Sequence, residues 1–540
     1  NGETRLNSRC LHLRVTKGVN KRPKEIQDLT AQVIGDFGKW QLGISISMAV
    51  LKLPIAWYQL NIMFMAPPQD FWCAKPAIFH KYSDDEWKKM CSPRVEEHPC
   101  LIFDPLLLII YPRVDKHVIP LIPCPKFVYD KNIFSRTIIS DWDLVCTKHW
   151  LIHVCQCVMM CGILIGSIIF GMLADKYGRK KPIMAAILLQ GVASLLASII
   201  PWFWVFLFDW LILALANGGL AVISFVLCME VVSGKWRTII PVIYQLPFGL
   251  GTAVMAGLAY WLRDWRKLEF VLACLSLLFL FYWFCIPESP RWLIATGRLK
   301  QASEILAKAA NQNGRRMNKN QIERLLAVAY SDTTVCKNPG FLAFLKSRNM
   351  RKKTLLLSLN WFCTGLAFYT FAQYLGSMKG DIFVAVAVTG LISAVGGFTC
   401  IFVITKFGRK KTVAIYQTVT TLCFVLILLV PKRQFEIDWL RLTFAGIGFG
   451  GMAGTIPALY LFTGELFPTL GRNIGISGVS IFARVASMMA PAVVTLEYVY
   501  ADLPLKILAV ISACQILMIL PLPETKDLPL PATLEEAERI

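Results

Sequence analysis

Apolar stretches, each roughly 18 to 25 residues long, alternate with polar connections along most of this chain. A helix of that length crosses the ~30 Å hydrocarbon core of a bilayer. Because the stretches recur with regular loop punctuation, they predict membrane-spanning helices rather than a large soluble helical core. The twelve predicted spans cover residues 41–66, 150–174, 182–200, 203–228, 238–262, 268–286, 354–376, 382–405, 412–430, 439–463, 474–496 and 504–522.

Three short motifs occur twice, and their copies are separated by offsets of 230, 235 and 236 residues. A shared offset predicts two copies of a unit of about 235 residues. In membrane proteins such duplications build transporters with the substrate site between the halves. The repeated pairs are Gly178-Arg179-Lys180-Lys181 with Gly408-Arg409-Lys410-Lys411, Glu230 and Arg237 with Glu465 and Arg472, and Pro287-Glu288-Ser289 with Pro523-Glu524-Thr525.

The charge distribution predicts how the chain sits in the membrane. Hydrophobic residues make up 56% and charged residues only 17%, below the ~25% charge of soluble domains. The net charge is +21, and lysines and arginines concentrate in the loops after spans 2 and 8 and in residues 287–353. The positive-inside rule makes these segments cytoplasmic. The basic charge therefore signals topology, and no separate soluble domain is present to bind nucleic acid.

These patterns predict an all-α polytopic membrane protein with twelve transmembrane helices in two pseudo-symmetric six-helix bundles. Both termini are expected in the cytoplasm. The predicted regions are a cytoplasmic N-terminal segment 1–40, a first half 41–286 that includes an extracellular loop 67–149, a cytoplasmic linker 287–353, a second half 354–522 and a cytoplasmic tail 523–540.

Two insertions interrupt the bundle. The outer loop is rich in cysteine, which predicts a small disulfide-stapled region in an oxidising compartment. Five cysteines leave one that is free or pairs elsewhere, for example with Cys155 or Cys157, and a zinc site would lack the usual CxxC pairs. In the linker, residues 301–311 and 320–330 predict short amphipathic helices. The disulfide candidates are Cys73, Cys91, Cys100, Cys124 and Cys146.

The loop after span 2, Gly171-Met-Leu-Ala-Asp175-Lys-Tyr-Gly178-Arg179-Lys-Lys, resembles the signature of the major facilitator superfamily. Within it, the long Cys-rich loop is similar to that of the organic cation/anion/zwitterion transporters of the solute carriers. Sugar porters share the Pro-Glu-Ser-Pro-Arg and Pro-Glu-Thr motifs but lack that loop, and span 7 has no Gln-Gln-Leu-Ser stretch. Three further stretches carry the resemblance: 33–41, Pro287-Glu288-Ser289-Pro290-Arg291-Trp292-Leu293 with Gly297-Arg298, and Glu465-Leu-Phe-Pro468-Thr469 with Arg472.

The resemblance implies a plasma-membrane carrier that rocks its halves around a central site. Ion pairs between the halves are expected to close the cytoplasmic face. Two positions depart from the family pattern: Asp209 stands where span 4 usually has a base, and Thr405 stands where the repeat predicts an acid. The candidate gating residues are Asp175, Gly178, Arg179, Glu230, Arg237, Glu288, Arg291, Gly408, Arg409, Glu465 and Arg472.

Charged residues inside spans are costly and usually face a cavity. Lys52 lies in the middle of span 1 and Arg484 in the middle of span 11, and few acids lie near the centres of the spans. In the family that the chain resembles, Arg at the position of Arg484 goes with anion and zwitterion carriers, and Asp goes with cation carriers. Lys52 has three interpretations: a substrate contact, a side chain that snorkels to the interface, or a structural pair, for example with Asp209. The remaining candidate substrate-binding residues are Trp57, Tyr58, Gln59, Tyr244, Gln245, Trp361, Phe368 and Tyr369.

The sequence therefore predicts transport of small organic ions, with anions or zwitterions such as amino-acid-like amines as the main hypothesis. An organic cation transporter is the alternative, followed by a sugar porter and by a non-transporting receptor on a carrier scaffold. Enzyme motifs such as Walker A and HExxH are missing, so neither catalysis nor a cofactor or metal is expected. The expected partners are the substrate ion, the bilayer and either a coupling ion or a counter-substrate, and the oligomeric state stays open.

Overall fold

The computed structural model describes residues 30–67, 69–76, 79, 83, 86–87, 100–104, 120–234, 236–315, 317–331, 341–376, 381–430, 439–468, 472–498, 500, 502–526, 528, 531 and 534–539. Within these residues, helices form at all twelve predicted spans. Eleven are long and apolar enough to cross a membrane, and the twelfth is a 17-residue apolar helix.

The helices begin and end within a few residues of the predicted limits. Span 1 is broken into consecutive helices at Leu51 and Asn61, and span 6 is completed by a short 3-10 turn. The spans are Lys39–Val50 with Lys52–Leu60 and Ile62–Met65, Trp150–Tyr177, Lys180–Ala197, Phe203–Val231, Trp236–Leu262, Trp265–Leu278 with Phe279–Phe281 and Tyr282–Cys285, Arg348–Gly376, Ile382–Phe407, Arg409–Leu429, Trp439–Leu466, Arg472–Thr495 and Leu503–Ile519.

Small residues let the spans approach each other closely. Gly166 of span 2 packs so tightly on span 4 that an added Cβ would lie 2.0 Å from the Leu215 carbonyl oxygen. The two halves meet in the same way, because a Cβ on Gly249 of span 5 would lie 2.4 Å from the Gly390 oxygen of span 8. In lipid no hydrophobic effect drives helices together, so the van der Waals packing that this close approach allows contributes to their association.

The loop after span 1 forms two small antiparallel sheets. Strand Phe71–Cys73 pairs with Phe127–Tyr129, and strand Leu101–Phe103 pairs with Leu121–Pro123. Disulfides join Cys73 to Cys124 and Cys100 to Cys146. Of the other candidates, Cys91 lies outside the described residues, and Cys155 and Cys157 are free thiols. We call the end of the bundle that carries this loop the loop end.

The linker lies at the opposite end, which we call the linker end. It forms helices Pro290–Ala295, Leu299–Gln312, Lys319–Ser331 and Phe341–Lys346, and the tail adds Leu534–Arg539. Asn313 fastens the linker to span 1, because its amide donates to the Ile34 oxygen at 2.8 Å and to Gln41 at 2.7 Å. The tail is fastened to span 7 by a 2.8 Å bond from Lys353 to the Ala537 oxygen.

Candidate functional site

A cavity with about 860 Å³ of space not filled by protein atoms lies between the two halves. Its wall comes from spans 1 and 5 of the first half and spans 7, 8, 10 and 11 of the second half. Of the ten predicted substrate-binding residues, those that line it are Lys52, Gln59, Gln245, Trp361, Phe368, Tyr369 and Arg484.

A hydrogen-bonded chain crosses this cavity from one half to the other. Arg484 of span 11 donates from Nη1 to the Tyr369 hydroxyl of span 7 at 3.1 Å, and Gln59 of span 1 donates to the same hydroxyl. Neither of these two partners of Tyr369 is an acid, because Gln59 is neutral and Arg484 is cationic. Within the described residues no carboxylate neutralises Arg484, so its remaining N–H groups can serve a ligand.

Lys52 supplies a second basic group to the cavity. Its Nζ lies 4.7 Å from the centre of the Tyr244 ring, a cation–π geometry. The pair with Asp209 that the sequence allowed does not form among the described residues, where Asp209 leaves its Oδ2 without a partner. None of the described residues of the wall is Asp or Glu, so no acid there offsets the charge of Arg484.

Aromatic rings form the apolar part of the wall. The Trp361 indole donates to Thr463 at 3.1 Å and packs edge-on against Tyr460 with ring centres 4.5 Å apart. Phe368 packs on Phe449 at 5.0 Å. The wall therefore presents flat apolar faces beside the two basic groups.

Three predicted residues lie behind the wall instead of in it. The Trp57 indole donates to the Gly251 oxygen at 3.0 Å, and the Tyr58 hydroxyl bonds Ser276 at 3.1 Å. The Tyr244 hydroxyl bonds Ser224 at 2.6 Å, so this residue reaches the site only through Lys52. All three rings are almost completely buried.

Sequence reasoning missed several wall residues, among them Tyr460 of span 10. The repeat could have drawn attention to this position, because the 235-residue offset makes Tyr460 the counterpart of Phe225 in the first half. These two rings meet across the halves with centres 5.6 Å apart. The other missed wall residues with side chains that can contact a ligand are Phe248, Thr364, Ser393, Ile456, Pro457 and Ser480.

The first copy of the repeated motif forms a charge cluster at the linker end. Arg179 pairs with Glu230 at 2.9 Å and with Asp175 at 2.6 Å. The Glu288 carboxylate accepts the Arg179 backbone N–H at 2.6 Å. Gly178 has φ +95°, and a Cβ there would lie 2.4 Å from Glu288, so this turn requires glycine. Burial lowers the pKa of the Arg179 guanidinium, but its pairs with Glu230 and Asp175 raise that pKa above the usual value.

The second copy repeats this arrangement with one acid fewer. Arg409 grips Glu465 with bonds of 2.8–3.0 Å, and Glu524 accepts the Arg409 backbone N–H at 2.8 Å. Gly408 has φ +92° and faces Glu524 as Gly178 faces Glu288. Burial raises the pKa of Glu524, yet backbone N–H donors from Arg409 and its neighbours hold that pKa below the usual value. Thr405, in the place of the missing acid, bonds only its own helix.

The prediction of ion pairs between the halves is therefore wrong for the Arg179 and Arg409 clusters. Each arginine pairs with acids of its own half, because the loop, the end of the fourth helix and the residues after the sixth helix meet within each repeat. Arg291 donates to the Val232 oxygen and Ser233 at 3.1 Å. Burial and the nearby charge of Arg237 lower the pKa of Arg291 to about 10. The side chain of Arg472 lies outside the described part of the chain.

At the loop end, aromatic rings close the seam between the halves. Phe383, at the start of span 8, stacks on Phe64 of span 1 with ring centres 5.6 Å apart. Phe134 and Tyr260 contact the same ring at 5.1 and 5.5 Å. These rings therefore join the two halves at the loop end.

Comparisons with known proteins agree with this architecture. The family model described as "Sugar (and other) transporter" matches residues 126–537. The organic cation transporter protein of Drosophila melanogaster is 29% identical over 94% of this chain and 93% of that protein. Solute carrier family 22 member 2 of Oryctolagus cuniculus is 32% identical over 78% of this chain and 75% of that protein.

The fold also matches solved structures. The xylose transporter XylE from E. coli, in a partially occluded inward open conformation, superposes with a TM-score of 0.62 over 91% of this chain and all of that chain. The sequence identity is 15%, so this likeness concerns the fold alone. Together, the twelve helices, the repeated charge clusters and these matches identify a multi-pass membrane transporter and not an enzyme. The chain belongs to the sugar (and other) transporter family of the major facilitator superfamily, in the branch of organic ion transporters among the solute carriers.

Proposed function

We propose that this protein carries small organic ions that bear a carboxylate, either anions or zwitterions, by alternating access. The observation that carries the proposal is Arg484, which lines a cavity between the halves and has no carboxylate partner among the described residues. A guanidinium binds a carboxylate through two parallel, charge-assisted hydrogen bonds. A substrate that brings its own carboxylate completes a pair that the protein leaves open.

The rest of the wall suits the rest of such a substrate. The charge of Arg484 disfavours a simple cation, and Lys52 adds a second basic group to the same wall. The rings of Trp361, Phe368 and Tyr460 offer apolar faces, and a ring face can also hold the ammonium group of a zwitterion. The site therefore favours a compact molecule with one anionic end and an apolar or amine-bearing body.

Alternating access requires halves that move as units around this site. The Arg179 and Arg409 clusters each tie together three elements of one half, so they stabilise the bundles internally. The ring cluster around Phe383 and the contact of Phe225 with Tyr460 join the halves at opposite ends of the cavity. We infer that these two contacts separate in turn as the cavity opens to each side.

Organic cations are the second candidate substrate class. Relatives from Drosophila melanogaster carry the printed names organic cation transporter protein and organic cation transporter-like protein. The aromatic wall could hold a quaternary ammonium, but Lys52 and Arg484 would repel it. The substrate charge thus separates the two hypotheses.

An uptake panel tests the proposal. Purified protein in liposomes should show saturable uptake of radiolabelled benzoate and glycine betaine above that of empty liposomes, because Arg484 pairs with their carboxylates. Tetraethylammonium, of similar size but without a carboxylate, should be taken up least. Saturable uptake of tetraethylammonium alone would favour the organic cation alternative.

We further propose that the protein resides in the plasma membrane with the loop end outside and both termini in the cytoplasm, as the basic loops favour. Epitope tags inserted in 105–119 and in 332–340 test this orientation in intact cells. The first tag should bind antibody without permeabilisation and the second only after it. Labelling of the second tag on intact cells would contradict the orientation.

A further inference from the structure

One buried carboxyl group has no role in the site described so far. Glu269 of span 6 is 0% exposed. Ser194 of span 3 donates to its Oε2 at 2.9 Å, and the Asn61 amide of span 1 donates to its Oε1. These donors are neutral, so they soften but do not cancel a negative charge in the membrane interior.

Among the residues that the structure describes, no cationic side chain hydrogen-bonds to or pairs with Glu269. Span 1 presents Tyr58, and span 4 presents the carboxyl group of Asp209. On span 6 itself, Cys274 and Ser276 lie further along the helix, and the Tyr58 hydroxyl bonds Ser276. Two carboxyl groups thus share one buried region.

The Arg266 guanidinium, on the same helix as Glu269, is already engaged. Arg266, one turn before Glu269, pairs with Asp141 at 2.9 Å and donates to the Ser198 oxygen at 3.2 Å. A buried carboxylate without a counter-ion is commonly neutralised by binding a proton. Like charge from a second carboxylate favours the protonated form further.

The side chain of Asn61 can hydrogen-bond to Glu269 in either protonation state of the carboxyl group. Its Nδ2 donates to the carboxylate, while its Oδ1 is buried and has no partner among the described residues. A carboxylic acid is a donor, and it needs an acceptor that a carboxylate does not. Rotation of the Asn61 amide would turn Oδ1 toward the acid proton, so one side chain can satisfy both forms.

This region is connected to the substrate cavity. Tyr58 and Asn61 line a second, much smaller cavity, and Gln59 and Tyr369 line both cavities. Gln59 and Arg484 bond the same Tyr369 hydroxyl. A carboxylate that engages Arg484 therefore disturbs a hydrogen-bonded chain that ends beside the residues holding Glu269.

We propose that Glu269 is a proton-binding site that couples proton movement to transport. In the binding step a lone pair of the carboxylate forms an O–H bond with a proton from the aqueous phase, and the site loses one negative charge. Release reverses this step when the halves have moved. The coupling rests on the proposed transport function, whereas proton binding by itself does not.

Infrared difference spectra of the purified protein, recorded as the pH is changed, test proton binding without any substrate. The wild type should show the carbonyl-stretch band of a protonated carboxyl group, and E269Q should lose it. D209N should keep that band. E304Q, which alters an exposed linker glutamate paired with Lys319, should also leave that band in place. An E269Q spectrum identical to that of the wild type, or a band lost in D209N instead, would overturn the assignment.

S194A serves if E269Q does not fold. Loss of one donor to the carboxyl group should move the band, and an unmoved band would overturn the proposal. Coupling is then measured as glycine betaine uptake into liposomes under an imposed gradient. A difference of one pH unit, acidic on the side of entry, should increase accumulation by up to about tenfold for one proton per substrate.

E269Q should abolish the effect of the gradient. An equal gradient effect in E269Q would contradict coupling through this residue. If no substrate is taken up at all, the proposed function fails while the infrared result stands. If uptake occurs but no titrating band depends on Glu269, only this inference fails.

Discussion

Replacement of Arg484 by alanine is expected to reduce the affinity for benzoate and glycine betaine by about tenfold to more than a hundredfold, as judged by uptake at subsaturating concentration. A hydrogen bond to a charged group contributes roughly 1.5–3 kcal/mol, and each 1.4 kcal/mol corresponds to about tenfold in affinity. Tetraethylammonium has no carboxylate to lose and is repelled by Arg484, so its low uptake should not fall and should rise when that charge is removed. Surface biotinylation gives the amount of each variant for normalisation.

Arg484→Lys is the matched control that separates the charge of the Arg484 side chain from the geometry of its guanidinium. It should recover only part of the uptake, because lysine keeps the positive charge but not the planar fork that grips two oxygens. The bond from Arg484 to Tyr369 would also change. Equal losses for benzoate, glycine betaine and tetraethylammonium in Arg484→Ala would show that Arg484 holds the bundle together rather than binding substrate.

Arg179→Ala is expected to destabilise the first half by about 3 kcal/mol. The Arg179 side chain is 8% exposed and that of Glu230 is 16% exposed, so removal of the arginine leaves Glu230 with little solvent to replace its partner. Breaking such a buried pair costs roughly 3–5 kcal/mol. The loss is measured as a lower melting temperature of the purified protein and as reduced transport per molecule at the cell surface.

Asp175→Asn provides the comparison within the same cluster. Asp175 also pairs with Arg179, but its side chain is 78% exposed. Exposed helix pairs contribute about 0.5 kcal/mol or less, so this variant should melt close to the wild type. Similar losses in both variants would contradict the distinction that we draw from burial. A wild-type melting temperature and transport rate in Arg179→Ala would contradict the structural role of the cluster.

The sequence predicted the spans and the repeat because both depend on local features. Hydropathy over about 20 residues fixes where a helix crosses the membrane, and copied motifs need no knowledge of packing. The same reasoning placed Arg484 in the cavity, since a charge in the middle of a span has few other locations. Helices at the predicted spans confirm the fold class as far as the residues are described, and Arg484 is among the residues that line the cavity.

Rotation about the helix axis could not be predicted in the same way. Neighbouring residues differ by about 100° around a helix, so Gln59 faces the cavity while Trp57 and Tyr58 face the bundle. The partners of charged loop residues were equally hidden. Motif spacing shows that Arg179 and Glu230 belong to the same repeat, but only the packing of the helix ends shows that they pair within one half.

Glu269 was missed because of its position in the apolar pattern. It stands at the beginning of the predicted span 268–286, where a charged residue ordinarily marks the boundary with water. In the structure span 6 begins earlier, at Trp265, and neighbouring spans cover Glu269 completely. Complete burial turns an ordinary boundary residue into a candidate proton site.

The central claim is tested most directly by the ratio of benzoate uptake to tetraethylammonium uptake in Arg484→Asp. The variant and the wild type are measured side by side, each in liposomes of the same composition. The substitution replaces one positive charge in the cavity by a negative one, so the substrate carboxylate would meet repulsion and a cation would meet attraction. We expect the ratio to fall by at least about a hundredfold, the effect of roughly 3 kcal/mol, with benzoate preferred by the wild type and tetraethylammonium by the variant. An unchanged ratio, with both uptakes reduced alike, would contradict the claim that Arg484 selects the charge of the transported ion.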